Sequence, residues 1–132
     1  MPKTMKFFAY LFAVLLLANL AFAVSFDVVV TPVQDKIVVD EVAEFDITIK
    51  NNLDTSKDFI IKKAGYPFWD MYTKPIQNPI TISVPSHSNQ TFRLFVDPLY
   101  ITSVDTYTLD IGVIRADSAE ELRVPITVGI KS

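Results

Sequence analysis

The sequence predicts an all-β fold in which about seven to nine short strands form two antiparallel sheets packed face to face. Three observations lead to this prediction. After Ala23, apolar residues recur at every second position and not with the helical period of about 3.6. The residues at these positions are mostly β-branched or aromatic, as in half-buried strands. Turn residues interrupt the alternation at short intervals, with proline and Asx residues in place of scarce glycine.

The N-terminal stretch 7–24 is an uninterrupted run without charge, preceded by Lys3 and Lys6. This pattern predicts a hydrophobic helix that directs export, and the small residues of the Ala-Phe-Ala triplet ending at Ala23 predict cleavage after that residue. The alternative is an uncleaved N-terminal membrane anchor, because 18 residues at about 1.5 Å per residue nearly span a hydrocarbon core of about 30 Å. In both cases the rest of the chain is expected to be secreted or displayed at the cell surface.

Length and composition leave room for one domain after this segment. Of the 132 residues, 1–23 form the predicted signal peptide or anchor and 24–132 remain for a single sandwich domain. The formal net charge is −3 with no long run of either sign, which argues against binding to nucleic acid. The chain contains no cysteine and one histidine, His87, which excludes disulfides and Cys/His zinc sites.

Three strands are defined most clearly by the alternation, at residues 45–49, 107–113 and 122–130. Weaker alternation predicts five more, at 26–31, 36–39, 58–62, 80–84 and 91–96. Pro125 lies inside the last strand. Because proline cannot donate a hydrogen bond to a neighbouring strand, it predicts an edge position or a bulge.

Four stretches carry a resemblance to a known family: SFDVVVTP from Ser25, DEVAEFDITIKNN from Asp40, ISVPSHSNQT from Ile82 and YTLDIGV from Tyr107. They resemble the immunoglobulin-like modules of secreted and surface proteins in archaea and bacteria, the group often called NEW3 or CARDB-type domains. The resemblance covers nearly all of the segment after residue 23. It implies an immunoglobulin-like β-sandwich, an archaeal source, and use as a spacer, stalk or adhesive module in cell-envelope proteins. It supplies no catalytic residues.

The resemblance also assigns a role to one tyrosine. Tyr107 opens the penultimate strand and resembles the corner tyrosine of such sandwiches. The hydroxyl of that tyrosine bonds to the backbone of the preceding loop. Tyr107 is therefore expected to tie the start of its strand to the loop before it.

Few residues are suited to chemistry. His87 lies between serines, and with no second His or Cys it is expected to be a solvated turn residue and not a metal ligand. Six aspartates fall mostly at predicted strand ends, where they could converge on calcium, but they lack D-x-D-x-D spacing and are expected to stabilise turns. They stand at positions 54, 58, 70, 97, 105 and 117. No cofactor, metal or catalytic residue is predicted, and the protein is not expected to be an enzyme.

The most unusual local composition is an aromatic segment at 66–72, which contains Tyr66, Phe68, Trp69, Met71 and Tyr72. One interpretation is that Trp69 and its neighbours fill one end of the sandwich as a satellite core, since Trp is usually largely buried. The alternative is an exposed aromatic platform suited to stacking on sugar rings or docking a partner. The sequence leaves both open.

Two further features concern the surface. If Phe26 and its alternate neighbours point inward, Val29 points outward, and the same reasoning turns Phe95 outward. An immunoglobulin-like strand order would place both on one outer face near Thr48, as a contact patch for a neighbouring domain, a second copy or a membrane surface. Scattered surface hydrophobic residues are the alternative. Asn89 begins the single Asn-x-Ser/Thr motif and is a candidate for glycosylation.

Two functions follow from these features. The first is a non-catalytic exported module that acts as a structural, adhesive or protein-interaction domain at the cell envelope, with protein partners or neighbouring domains at the cell surface. The second is a carbohydrate-binding module that uses the aromatic segment 66–72. Contact with the membrane would come through 1–23 if this segment is not cleaved.

Overall fold

A computed structural model describes residues 24–64, 68–100 and 103–132. The predicted N-terminal helix, the cleavage site at Ala23 and the aromatic residue Tyr66 lie outside these described residues. Within the described part the chain is all-β, as predicted, and contains no helix. It follows that no helix in this part could span a membrane.

Nine strands make up the domain, eight of them at the predicted places. They are β1 (Phe26–Gln34), β2 (Lys36–Val38), β3 (Ala43–Asn51), β4 (Lys57–Ala64), β5 (Trp69–Tyr72), β6 (Ile80–Val84), β7 (Asn89–Pro98), β8 (Asp105–Arg115) and β9 (Glu121–Lys131). The strand that the alternation did not predict is β5, which lies inside the aromatic segment.

The strands form two sheets. One has four strands in the order β1-β3-β7-β5, and the other has five in the order β2-β9-β8-β4-β6. All neighbours pair antiparallel except β2 and β9, which pair parallel over three residues. Strands β1, β3 and β7 share a sheet, as the immunoglobulin-like order requires. The predicted two-sheet sandwich is confirmed.

The core lies between the sheets, and the side chains that fill it are those that the alternation predicts to point inward. In β3, Phe45, Ile47 and Ile49 are buried and alternate with half-buried or exposed polar residues. The facing sheet supplies buried residues at the same spacing: Leu109, Ile111, Val113, Ile126, Val128 and Ile130. Complete burial of side chains of this size stabilises the fold by about 1.5–3 kcal/mol each relative to exposure. This shared apolar interior holds the two sheets together.

Pro125 lies where the structure can accept it. It is opposite Asp110 of β8, and β2 reaches β9 only at residues 129–131. Among the described residues, the stretch of β9 around Pro125 therefore has a strand on one side only. The missing N–H removes no hydrogen bond from a second neighbour, and the predicted edge position is confirmed.

Different strands begin and end at the two ends of the sandwich. At the N-terminal end, β1 begins at Phe26 opposite Asn51. The buried Asn51 amide donates to the carbonyls of Thr55 and Val84, and its side-chain oxygen accepts the N–H of Leu53. The opposite end, called the far end below, is where β5 begins, β7 ends and β9 finishes. With nine residues at about 3.3 Å each, β1 covers about 30 Å from one end towards the other.

Candidate interaction surfaces

Trp69 at the far end is a core residue. Only 1% of its surface is exposed. Its ring contacts Tyr107 with centroids 5.6 Å apart and planes at 56°. The Tyr107 hydroxyl donates to the Ser103 carbonyl at 3.2 Å, so the predicted corner tyrosine is confirmed. The interpretation of Trp69 as part of an exposed platform is wrong, because β5 turns this side chain into the space between the sheets. The interpretation of Trp69 as a packed core residue is correct.

The other aromatic residues of the segment point elsewhere, because β5 alternates like any strand. Trp69 and Met71 face inward, whereas Asp70 and Tyr72 face outward. Phe68 precedes the strand and is 57% exposed. The segment therefore does not form one continuous platform within the described residues, and the stacking surface expected for a sugar ring loses its largest member.

Phe68 does have an aromatic neighbour at the far end. Its ring meets Tyr100 edge to face, with centroids 6.1 Å apart and planes at 87°. Tyr100 is 75% exposed, and the adjoining Leu99 is also exposed and donates its N–H to the Phe68 carbonyl at 3.1 Å. The far end thus carries a small cluster of apolar side chains that are exposed to water.

Tyr72 and Phe95 form a stacked pair on the outer face of the four-stranded sheet. They are direct cross-strand partners on β5 and β7. Their rings lie 5.4 Å apart at 14°, which is the offset arrangement that aromatic pairs favour. The Lys74 ammonium lies 4.5 Å from the centroid of the Phe95 ring, close enough for a cation–π contact. Both rings are half-buried, since each covers part of the other.

Val29 lies on the same outer face, as predicted, but does not join this pair. It is 57% exposed and opposite Thr48. Between it and Phe95 runs a polar row in which Arg93 makes two hydrogen bonds to Asp46, at 2.9 and 3.2 Å. The predicted patch is therefore interrupted. Arg93 also holds the pKa of Asp46 below its ordinary value, mainly through this hydrogen bond.

Carboxylates surround the aromatic pair. Asp70 and Asp97 are directly opposite each other on β5 and β7, and Glu44 is opposite Phe95 on β3. Among the described residues, no Lys or Arg nitrogen lies within 4 Å of these three carboxylates. Burial raises the pKa of Tyr72, and the charges of Asp97, Asp70 and Glu44 raise it further. With three carboxylates and the Lys74 ammonium, the surface around the stacked rings carries a net negative charge.

Two grooves run beside β5 on the side away from β7. One has a volume of about 290 Å³ and lies between β5, the start of β6 and the end of β4. The other, of about 360 Å³, is lined by Asp70, Met71, Tyr72, Ile76, Gln77 and Asn78. Ile76 is 76% exposed at its rim. Lys62 and Lys63 line the first groove, and the Lys63 ammonium donates to the Trp69 carbonyl at this edge of β5.

Of the residues expected in turns, His87, Asp54 and Asp117 lie in turns or bends. The expectation is wrong for the other four aspartates, which lie within strands: Asp58, Asp70, Asp97 and Asp105. His87 is exposed, with Nε2 2.7 Å from the Asp54 carboxylate. Asp58 accepts the Ser83 hydroxyl, and Asp117 pairs with Lys57 at 2.6 Å. In the described ranges no three His, Cys, Asp or Glu residues converge in a way that could hold a metal ion.

Asn89 is exposed at the first residue of β7, opposite Lys50. The position lies on the same outer face as Phe95, near the N-terminal end. Thr91, the last residue of the motif, exchanges a hydrogen bond of 2.8 Å with Thr48. Nothing in the sheet covers the Asn89 side chain, so its glycosylation stays a prediction compatible with the surface.

Comparison with known proteins supports the fold and no more. No protein-family profile and no curated protein sequence matches the chain. Its structure is similar to a FixG-related protein from Vibrio parahaemolyticus, with a TM-score of 0.68 and 9% identity over 83% of this chain and 100% of the other. The cupredoxin domain of amoB from Nitrosocaldus yellowstonii gives a TM-score of 0.62 and 9% identity, covering 83% and 89%.

A third similar structure bears on the resemblance stated from sequence. It is the CARDB domain of a Pyrococcus furiosus protein, solved in complex with di-metal ions, with a TM-score of 0.52 and 16% identity over 80% of this chain and 87% of the other. The chain therefore has the fold of a CARDB-like β-sandwich module, among other immunoglobulin-like and cupredoxin-type sandwiches. The predicted resemblance is confirmed at the level of the fold.

Two kinds of metal site do not fit this chain. A blue-copper site of the cupredoxin kind requires two His and one Cys as ligands, and this sequence has one His and no Cys. No cluster suited to a metal pair is present among residues 24–64, 68–100 and 103–132. The likeness is one of architecture.

Proposed function

We propose that the protein is an exported, non-catalytic immunoglobulin-like module that acts as a structural and protein-interaction domain at the cell envelope. The observation that carries the proposal is the direction of the chain through the sandwich. The strand that follows the apolar N-terminal stretch begins at one end, and the last strand finishes at the other. A domain with this geometry holds whatever lies at its two ends apart by the length of the sandwich.

The site chemistry agrees with a role in binding. Two aromatic pairs lie at the surface, the exposed Phe68 with Tyr100 and the half-buried Tyr72 with Phe95. Aromatic side chains are enriched where proteins meet. The polar residues make ion pairs and turn contacts: Arg93 with Asp46, and Asp117 with Lys57. No arrangement of a nucleophile with a base is formed by these contacts.

The experiment that tests the proposal is fractionation of cells that express the full chain, followed by N-terminal sequencing. We expect a protein outside the cytoplasmic membrane that begins at Val24, because of the lysines before the apolar stretch and the small residues at its end. Full-length protein that stays in the membrane after carbonate extraction would identify the stretch as an anchor. Full-length protein in the cytoplasm would contradict the proposal.

A matched variant makes this test sharper. Leu16→Arg places a charge in the middle of the apolar stretch and is expected to block export, because a charged residue at such a position costs about 2.5–3.5 kcal/mol on insertion. Thr4→Arg adds the same charge beside the existing lysines and is expected to leave export unchanged. Equal export of both variants would show that the stretch is not the signal.

A further inference from the structure

We propose that the outer edge of β5, together with the adjoining face of its sheet, binds an extended basic segment of a partner protein. The segment would add as a strand beside β5 and would carry the pattern basic–apolar–basic. This inference rests on the proposed role as an interaction module and specifies its surface and the chemistry of its partner.

The backbone of β5 is paired on one side only. This strand pairs with β7 alone, so in the part of the chain that the structure describes no strand lies at its other edge, where the Lys63 ammonium donates to the Trp69 carbonyl. An edge of this kind offers N–H and C=O groups to an added strand. Grooves of about 290 and 360 Å³ lie on this side. Lys62 and Lys63 line the first groove, and the second lies between β5 and residues 76–78.

Carboxylates cluster on the outer face beside β5. Asp70 and Asp97 are like charges placed directly opposite each other across two strands, which is an unfavourable arrangement. Glu44 adds a third carboxylate beside Phe95. The amines and guanidinium groups of the described residues stay more than 4 Å from all three. A cationic side chain next to Asp70 on an added strand would relieve this repulsion.

The alternation of side chains on an added strand determines which residue types the partner would carry. On an added strand, the side chains beside Asp70 and Tyr72 point to the outer face, whereas the one between them points towards Met71. Asp70 favours a cation directly beside it and, diagonally, a second one beside Tyr72. The Phe95 ring is not the target, because the Lys74 ammonium already lies 4.5 Å from its centroid. The groove beside Met71 has the apolar Ile76 at its rim. The sequence that fits is therefore basic–apolar–basic.

The same chemistry decides between occupants. An anionic membrane surface or a nucleic acid would meet three carboxylates and be repelled. A second copy of this chain does not supply the pattern, because its 12 basic residues include no two that are separated by one residue. The favoured occupant is a segment of a different protein.

The test is an NMR titration of the ¹⁵N-labelled protein with a synthetic peptide. The protein is used in the form that the cells produce after any processing of the N-terminal stretch. The probe is the peptide acetyl-Thr-Val-Lys-Val-Arg-Val-Thr-amide, and its control has Gln in place of Lys and Arg. We expect amide shifts at 69–72 with the basic peptide, and binding at least about fivefold weaker with the Gln peptide, since two exposed charge pairs are lost. Shifts that map elsewhere, or no binding of the basic peptide, would overturn the proposal.

Variants locate the charge effect. Asp70→Asn combined with Asp97→Asn is expected to weaken binding of the basic peptide at least about fivefold. The domain should stay folded, because the change removes a repulsion and both side chains lie on the outer face; a thermal melt checks this. Asp54→Asn at the N-terminal end is the control and should bind as the unchanged protein does. Equal binding by all three proteins would contradict the proposal.

The outcome is independent of the test of export. A protein that is exported and does not bind the peptide refutes this inference and leaves the proposed location standing. A protein that binds the peptide at 69–72 and stays in the cytoplasm supports the surface and refutes the envelope role. Dimerisation that depends on Asp70 would assign the edge to a second copy and overturn the choice of partner.

Discussion

At the scale of single residues, neighbouring side chains in the aromatic segment have opposite environments. Trp69 is buried against Tyr107, and Phe68 beside it is 57% exposed. The difference follows from the start of β5 at Trp69, which commits alternate residues to the core and to water. Composition alone could not separate the two, because both are large and aromatic.

Paired truncations measure this difference. Trp69→Ala is expected to lower the free energy of unfolding by about 3–5 kcal/mol, because it removes a large buried side chain and leaves a cavity. Phe68→Ala, one residue away, is expected to change it by less than about 0.5 kcal/mol, because that ring lies mostly in water. Urea unfolding of both variants checks the pair. A loss for Trp69→Ala as small as the one expected for Phe68→Ala would show that Trp69 is not a core residue.

The corner tyrosine gives a second prediction at this scale. Tyr107→Phe keeps the ring against Trp69 and removes the hydroxyl bond to Ser103, so we expect a loss of about 0.5–1.5 kcal/mol in the free energy of unfolding. Tyr100→Phe removes a hydroxyl from a side chain that is 75% exposed and serves as the control. A Tyr107→Phe variant as stable as its control would leave the hydroxyl without a structural role.

At the scale of elements, eight strands were predictable. Seven of them have five or more residues, and the short β2 carries the β-branched Ile37 and Val38 between turn residues. β5 was not, since it has four residues and follows a proline in an aromatic segment that indicates a plug or a platform equally well. The signal that could have found it is the short alternation of Trp69 and Met71 with Asp70 and Tyr72. Pairing partners are harder still: the register that brings Tyr72 to Phe95 joins residues far apart in sequence.

The clearest strand of the second sheet offers a test of the predicted phase. Ile111 in β8 is fully buried, so Ile111→Ala is expected to cost about 2–5 kcal/mol in the free energy of unfolding. Thr108→Ala in the same strand changes an exposed outward residue and should cost less than about 0.5 kcal/mol. A loss below about 0.5 kcal/mol for Ile111→Ala as well would mean that the inward and outward positions of β8 are assigned wrongly.

At the scale of the whole molecule, two surface carboxylates link stability to pH. A hydrogen bond from Arg93 lowers the pKa of Asp46, and one from Lys57 lowers the pKa of Asp117, both from an ordinary value of 3.8. The folded state therefore binds these protons less readily than the unfolded state. The stabilisation is present above the ordinary pKa and is lost as the pH falls through the lower pKa of the folded state.

This linkage predicts the behaviour of a double variant. Asp46→Asn with Asp117→Asn should lose less stability below about pH 4 than the unchanged protein does, because neither group can then take up a proton. Chemical unfolding between pH 2 and 6 measures the slope in both proteins. Identical slopes below pH 4 would show that these ion pairs do not contribute.

The most direct test of the account combines export and fold in one measurement, the labelling of intact cells with a membrane-impermeant maleimide. The natural chain has no cysteine, so single substitutions give clean sites. Val29→Cys, at a position that is 57% exposed, should be labelled on intact cells or in the medium. Ile47→Cys, at a fully buried position in the adjacent strand, should be labelled only after unfolding. Labelling of Val29→Cys only after cell permeabilisation, or equal labelling of both variants, would contradict an exported two-sheet sandwich.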